Sequence, residues 1–207
     1  MYSVPMAIAD FIPVFLFFAT ELILQRDLYN KMSKGAYALF CAGTIDVFMA
    51  GFLKALYKLL YAANICDFKA LSNMFFPVQA LGFLMAGNAL LVVILVPQGK
   101  NKLYSLAAPA AFSGTFIFVA LMVLGLGGMC GSLAVIAKRM KKPAVIVLFV
   151  LAFVFSLMMG YLSAKDFTQA YMNWAAEGVN TFGQLALFLG VWILHKAGLN
   201  DFQWRRD

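Results

Sequence analysis

The chain has 207 residues, of which 64% are hydrophobic and 12% are charged, and its formal net charge is +7. A soluble globular domain averages about 45–50% apolar and about 25% charged residues, so this composition excludes an ordinary soluble enzyme, a disordered chain and a nucleic-acid-binding module. Three cysteines exclude a disulfide scaffold, and a single histidine excludes a site with two histidine ligands. The composition is that of a polytopic membrane protein.

Six segments predict membrane-spanning helices in an all-α bundle. A spanning helix needs about 20 mostly apolar residues. The predicted spans cover residues 6–24, 35–63, 71–96, a part of 107–137, 143–164 and 167–194. Long apolar runs without alternating polar residues favour helices over a membrane β-barrel. Because the loops between them are too short for a soluble domain, we expect one integral membrane domain over residues 1–207.

A weak internal repeat relates the two halves, 1–97 and 106–207. Residues 49–55 resemble residues 158–164, and in both places an Asp-Phe pair follows. Each half would hold three spans, an odd number, so consecutive halves would have opposite orientations. This predicts two inverted three-helix repeats, a plan that many transporters use with a site near the membrane midplane. The alternative is a chance similarity between segments rich in Leu, Phe and Ala.

The basic residues predict an orientation. With the N-terminus assigned to the cytoplasm and spans that alternate in direction, ten of the 16 Lys and Arg residues lie in cytoplasmic loops and ends, and six lie on the other side. The excess predicts a cytoplasmic membrane protein with both termini in the cytoplasm. Basic loops also contact anionic headgroups, so the expected partners are membrane lipids rather than nucleic acid.

The sixth span carries the sharpest polar pattern. Asn173, Glu177, Asn180 and Gln184 are spaced four, three and four residues apart, which places them on one helix face. Lipid cannot satisfy amide and carboxyl groups, so this face must contact protein or water. One interpretation is a path for a small solute or ion, with Glu177 as its charged group. The other is that the amides join neighbouring helices, stabilising their packing by roughly 0.6–2 kcal/mol each.

Two polar residues in other spans extend the hypothesis. Asp46 on the second span either pairs with a buried cation or lines the path. Asn88 on the third span lies close to one face with Asn73 and Pro77. Pro77 removes a backbone donor and is expected to open the helix locally.

The remaining intramembrane charges are predicted to be structural. Asp10 is expected at the membrane interface, and Glu21 is expected to pair with Arg26 or to cap the end of its span. Lys54 and Lys58 are four residues apart near the end of the second span, which is typical of side chains that reach out to the interface.

The leading hypothesis is therefore transport or conduction of a small solute or ion between spans two, three and six. The predicted path residues are Glu177, Asn180, Gln184, Asn173, Asp46 and Asn88. One alternative is an intramembrane enzyme on a lipid or other apolar substrate, with Glu177 as general acid or base; another is a structural subunit of a membrane complex. The sequence contains no recognisable catalytic, cofactor or metal motif, so we predict no catalytic residue, no bound cofactor and no metal site. The glycine-rich fourth span could pack within one chain or between copies in a homo-oligomer.

Overall fold

The structure, a computed structural model, describes residues 3–95, 115–163 and 170–202. These residues form helices and no strand. The helices are α1 (Val4–Ala9), α2 (Phe11–Leu28), a 3₁₀ turn (Tyr29–Lys31), α3 (Lys34–Ala62), α4 (Ala70–Asn73), α5 (Phe75–Leu95), α6 (Thr115–Arg139), α7 (Pro143–Ser163) and α8 (Ala170–Lys196). They supply six stretches long and apolar enough to cross a membrane. The prediction of an all-α chain with six such helices is confirmed.

Two spans are broken near their beginning by proline. Helix α1 ends at Ala9 and helix α4 ends at Asn73, and each of these residues lies four positions before a proline, Pro13 or Pro77. A proline ring clashes with the carbonyl group four residues earlier and offers no N–H donor, so each break lies where its proline places it. The break in the first span positions Asp10 between α1 and α2.

The first span is longer than predicted, because polar residues beyond its expected end find partners. Helix α2 continues to Leu28. The Asp27 side chain is buried, and its Oδ2 lies 2.8 Å from Nδ1 of His195. Two residues earlier, Nε2 of Gln25 donates to Oγ1 of Thr44 at 2.9 Å. These contacts join α2 to α8 and α3 and keep the helix inside the bundle.

The six spans form a closed ring. Helix α2 packs against α3, α3 against α5, α5 against α6, α6 against α7, α7 against α8, and α8 against α2. Two neighbouring pairs in this ring are parallel. A Cβ atom on Gly125 would meet the backbone of Leu84, and one on Gly128 would meet Leu91, so α5 and α6 advance in the same direction.

Helices α8 and α2 are parallel as well. Glu177, near the beginning of α8, faces Asp10 at the beginning of the first span. His195 and Asp27 meet near the ends of the same two helices. We call the two ends of the bundle the Asp10 end and the Lys31 end.

The two three-helix sets, α2–α3–α5 and α6–α7–α8, therefore run in the same sense. These contacts do not agree with the predicted inverted repeat. That prediction was based on the assumption that consecutive spans always alternate in direction. Helix α5 ends at the Lys31 end, whereas α6 begins at the Asp10 end. The loop predicted at 98–105 lies outside the described residues.

The first and last described residues also lie at opposite ends of the bundle. Ser3 precedes α1 at the Asp10 end, and the carbonyl oxygen of Phe202 accepts a hydrogen bond from Nζ of Lys31 at 2.6 Å. The prediction of both termini on one side of a membrane does not agree with this arrangement. It used the same assumption of alternating spans.

The half of the bundle toward the Lys31 end is tightly packed. Its core contains large side chains with almost no exposed surface, including Leu24, Phe40, Met129, Leu133, Phe149, Leu187 and Leu194. Helices α3 and α5 meet there almost backbone to backbone, because a Cβ on Gly43 would lie 2.6 Å from the carbonyl oxygen of Gly82. The described residues in this half therefore form a densely packed apolar core.

Candidate functional site

A cavity of about 340 Å³ lies between the spans in the half of the bundle toward the Asp10 end. All six spans contribute to its wall. Its polar wall consists of Asp10, Lys54, Lys58, Gln79, Ser156, Asn173, Glu177, Asn180 and Gln184. Its apolar wall includes Phe17, Phe48, Phe75, Phe76, Phe83, Met122 and Met159. The volume is within the range of about 300–1,000 Å³ that is typical of small-molecule sites. The combination of aromatic rings with a few polar groups is also typical of such sites.

The structure brings all four polar residues of the sixth span to this cavity. Asn173, Glu177, Asn180 and Gln184 lie on one face of α8, as their spacing predicts, and each belongs to the wall. Asn173 and Glu177 are buried. The Oε1 atom of Gln184 is also buried and has no hydrogen-bond partner among the described residues. Gln184 therefore offers a hydrogen-bond acceptor to whatever occupies the cavity.

Asp46 does not lie on the cavity wall. Helix α3 presents Val47, Gly51, Lys54 and Lys58 to the cavity, at helical spacings of four, three and four. Asp46 precedes this series by one residue, so it points about 100° away from that face at 3.6 residues per turn. The prediction that Asp46 lines the path therefore disagrees with the extent of this cavity.

Asn88 is also separate from the cavity. The deepest wall residue on α5 is Phe83. Asn88 follows it by five residues, about 7.5 Å further along the helix axis, at the level of the packed core. Of the six predicted path residues, the four on α8 share the cavity and the two on α3 and α5 do not.

Asp10 belongs to the cavity, although its position near the N-terminus predicted an interfacial residue. The side chain is only 6% exposed and forms an ion pair with Lys58 on α3. Its Oδ2 atom makes this contact, and Oδ1 has no hydrogen-bond partner among the described residues. The carboxyl groups of Asp10 and Glu177 both face the cavity and are close enough to interact electrostatically. The sequence signal for this role is Pro13, which breaks the helix beside Asp10.

Lys54 likewise lines the cavity instead of reaching out to the interface. Its Nζ lies 3.7 Å from the centroid of the Phe75 ring, a cation–π contact. Within the described part of the chain, no ion pair involves Lys54, but it interacts electrostatically with Asp10, Lys58 and Glu177. The spacing of Lys54 and Lys58 on the face that includes Gly51 could have indicated that both point inward.

Glu21 occupies a second, smaller polar site below the cavity. Its side chain is 2% exposed, and its carboxyl group contacts the Thr44 hydroxyl on α3. The Thr44 hydroxyl also accepts from Gln25 and donates to the carbonyl oxygen of Cys41 at 3.2 Å. The expected pairing with Arg26 is replaced by this contact with α3. Glu21 joins helices and does not contribute to the cavity wall.

Chemically, the cavity combines two carboxyl groups, two ammonium groups and several amides against aromatic rings. In the three described stretches, no group of three or more His, Cys, Asp or Glu side chains could hold a metal ion. The lining is suited to a small polar molecule that carries hydrogen-bonding or charged groups and some apolar surface. No protein-family model, curated protein or solved structure matches this chain.

Proposed function

We propose that the protein is a carrier that moves a small polar solute across a membrane and binds it in this cavity on the way. The observation that supports the proposal is the position of the four polar residues of α8 on the wall of a cavity bounded by all six spans. Had these residues only joined helices, we would expect them in a closed seam between α8 and its neighbours. The free Oε1 of Gln184 supports binding over packing.

The uneven packing of the bundle favours a carrier over an open channel. The cavity lies toward the Asp10 end, whereas the Lys31 end is filled by fully buried apolar side chains such as Leu133 and Leu187. A carrier keeps one side closed while its site faces the other. Two three-helix sets in the same orientation are also an arrangement that some membrane carriers use, with the site between the sets.

The basic residues support an orientation once the helix directions are known. Toward the Lys31 end lie Arg26, Lys31, Lys34, Lys138, Arg139, Lys141, Lys142 and Lys196. Toward the Asp10 end, the described residues include Lys54, Lys58 and Lys69. Because short loops rich in Lys and Arg stay in the cytoplasm, we place the Lys31 end in the cytoplasm of a cell whose cytoplasmic membrane holds the protein. The cavity then lies toward the outer side.

The proximity of Asp10 and Glu177 favours one alternative, an intramembrane enzyme. Two adjacent carboxyl groups can serve as general acid and general base on a bound substrate. An enzyme would chemically change a molecule that the carrier would release unchanged. Product analysis in the transport experiment distinguishes the two.

The experiment is solute exchange by the purified protein in proteoliposomes. Vesicles are loaded with one unlabelled solute and exposed to the same labelled solute, using a panel of amino acids, sugars, organic cations and carboxylates. We expect one class to exchange faster than in protein-free vesicles. Glu177→Gln and Asn180→Ala should each lower that exchange by about tenfold or more, because losing one partner of a desolvated polar contact costs about 2 kcal/mol or more.

Asp46→Asn provides the matched control, since it removes a carboxylate from α3 outside the cavity wall. Its exchange rate should stay close to that of the unmodified protein. A correctly folded protein that exchanges no member of the panel would refute the carrier proposal. Exchange that is unaffected by Glu177→Gln and Asn180→Ala would also refute it, because the solute would then not pass through this cavity.

A further inference from the structure

The charged groups of the cavity suggest which class of solute it binds. Among the described residues, four ionisable side chains line the wall, two acidic (Asp10 and Glu177) and two basic (Lys54 and Lys58). Their formal charges sum to zero. A bound ion of either sign would leave an uncompensated charge among desolvated helices, which costs several kcal/mol. The cavity is therefore best matched by a ligand without net charge.

The pairing of these four groups is incomplete. Lys58 forms an ion pair with Asp10. Lys54 lies over the Phe75 ring, and among the described residues no ion pair involves either Lys54 or Glu177. The hydroxyl of Thr181 lies 3.5 Å from the Glu177 carboxyl group, at the limit of a hydrogen bond. Lys54 and Glu177 thus face the same cavity, and neither forms an ion pair with another described residue.

We propose that the cavity binds a zwitterion, with its ammonium group against Asp10 and Glu177 and its carboxylate against Lys54. Such a ligand supplies an opposite charge to each unpaired group while adding no net charge. The buried Oδ1 of Asp10, which has no hydrogen-bond partner among the described residues, is an acceptor for the ammonium group. An uncharged sugar would satisfy the amides but would leave Lys54 and Glu177 without ionic partners.

The rest of the wall indicates an apolar side chain on the ligand. Beyond the charged groups, the cavity is lined by aromatic and sulfur-containing side chains, including Phe48, Phe83, Met122 and Met159. Burial of an apolar ligand surface against them adds about 25 cal/mol per Å². An α-amino acid with an aliphatic or aromatic side chain has both features. This inference depends on the proposed function only in treating the cavity as the solute site.

The test measures binding to the full-length protein in lipid nanodiscs by equilibrium dialysis. The probes are leucine, methionine and phenylalanine, together with two analogues of leucine. Leucinamide lacks the carboxylate, and N-acetylleucine lacks the ammonium group. We expect at least one amino acid to bind at millimolar concentration or below. For leucine, each analogue should bind at least about tenfold more weakly, since each leaves one charged group unpaired.

Two variants test which side chains contact the charged groups of the ligand. Lys54→Gln should weaken leucine binding by about tenfold and change leucinamide binding by less than about twofold, because leucinamide has no carboxylate to lose. Glu177→Gln should weaken leucine binding by a similar factor but leave N-acetylleucine binding nearly unchanged, because N-acetylleucine has no ammonium group to lose. Asp46→Asn is the control and should have no effect. Circular dichroism and gel filtration check the fold of each variant.

The proposal is overturned if none of the three amino acids binds, or if leucinamide or N-acetylleucine binds as tightly as leucine. Its failure is separable from failure of the carrier proposal. Exchange of an uncharged solute without amino-acid binding would support the carrier proposal and refute the zwitterion proposal. Amino-acid binding without exchange across the vesicle membrane would support the zwitterion proposal and refute the carrier proposal.

Discussion

The ion pair between Asp10 and Lys58 provides a quantitative test of whether the cavity contains water. Removing one partner of a fully buried pair costs about 3–5 kcal/mol, whereas an exposed pair contributes about 0.2–1 kcal/mol. Asp10 is 6% exposed and Lys58 is 15% exposed, but both also face the cavity. If water fills the cavity, it partly solvates the charge left behind. We therefore expect Asp10→Asn to lower the free energy of unfolding by about 2 kcal/mol, between these limits.

The assay is reversible unfolding in mixed micelles with increasing SDS, in the absence of added solute. Lys58→Met should cost a similar amount by leaving the Asp10 carboxylate unpaired. The double variant should recover most of the loss, since neither charge is then left without its partner. The exposed pair of Asp67 and Lys69, 3.6 Å apart with 45% and 72% of the side chains exposed, is the internal control. Lys69→Gln should cost less than about 1 kcal/mol.

Either extreme would refute the reasoning. A loss of more than about 4 kcal/mol for Asp10→Asn would mean a dry, sealed cavity, which would argue against a solute site. A loss no larger than that of Lys69→Gln would mean that Asp10 and Lys58 are effectively in bulk solvent. In that case the two residues would not form part of an enclosed site.

Three further results are expected. Gly43→Ala should destabilise the protein by about 1–3 kcal/mol, because its Cβ would lie 2.6 Å from a backbone oxygen of α5; Gly35→Ala, with nothing within 4 Å, should be neutral or stabilising in the same unfolding assay. In a background without native cysteines, Asn180→Cys should react with a membrane-impermeant thiol reagent added from the Asp10 end, and Asn88→Cys should not; equal labelling would contradict the cavity boundary. Asp46→Asn should change solute exchange by less than about twofold, measured as initial rates, since Asp46 is outside the wall.

The number of the spans and their approximate positions could be predicted from the sequence, because apolar length is a local property. The shared face of Asn173, Glu177, Asn180 and Gln184 could also be predicted, since helical geometry alone places residues at these spacings together. The break before Pro77 follows from the same local reasoning. Each of these predictions needs only one helix.

Helix direction could not be predicted in this way. The assumption of strict alternation gave an inverted repeat and two termini on the same side, whereas the packing of Gly125 and Gly128 against α5 indicates that α5 and α6 are parallel. Packing partners are also properties of several helices at once. Lys58 near the end of one predicted span gives no local sign that Asp10 lies beside it. Opposite charges on different spans are a weak signal without a known order of the helices around the ring.

The correction to helix direction strengthens the functional argument. With alternating spans, the basic residues are divided ten to six and indicate orientation only weakly. With the observed directions, the loop after α2 and the loop after α6 lie at the same end, and the described Lys and Arg residues concentrate there. The packed end and the basic end are then the same end, which supports the proposed cytoplasmic orientation of that end. In the proposed orientation, a solute from outside would pass Asp10 and Lys58 before it meets Lys54. It could continue inward only if the apolar core between the two three-helix sets separates.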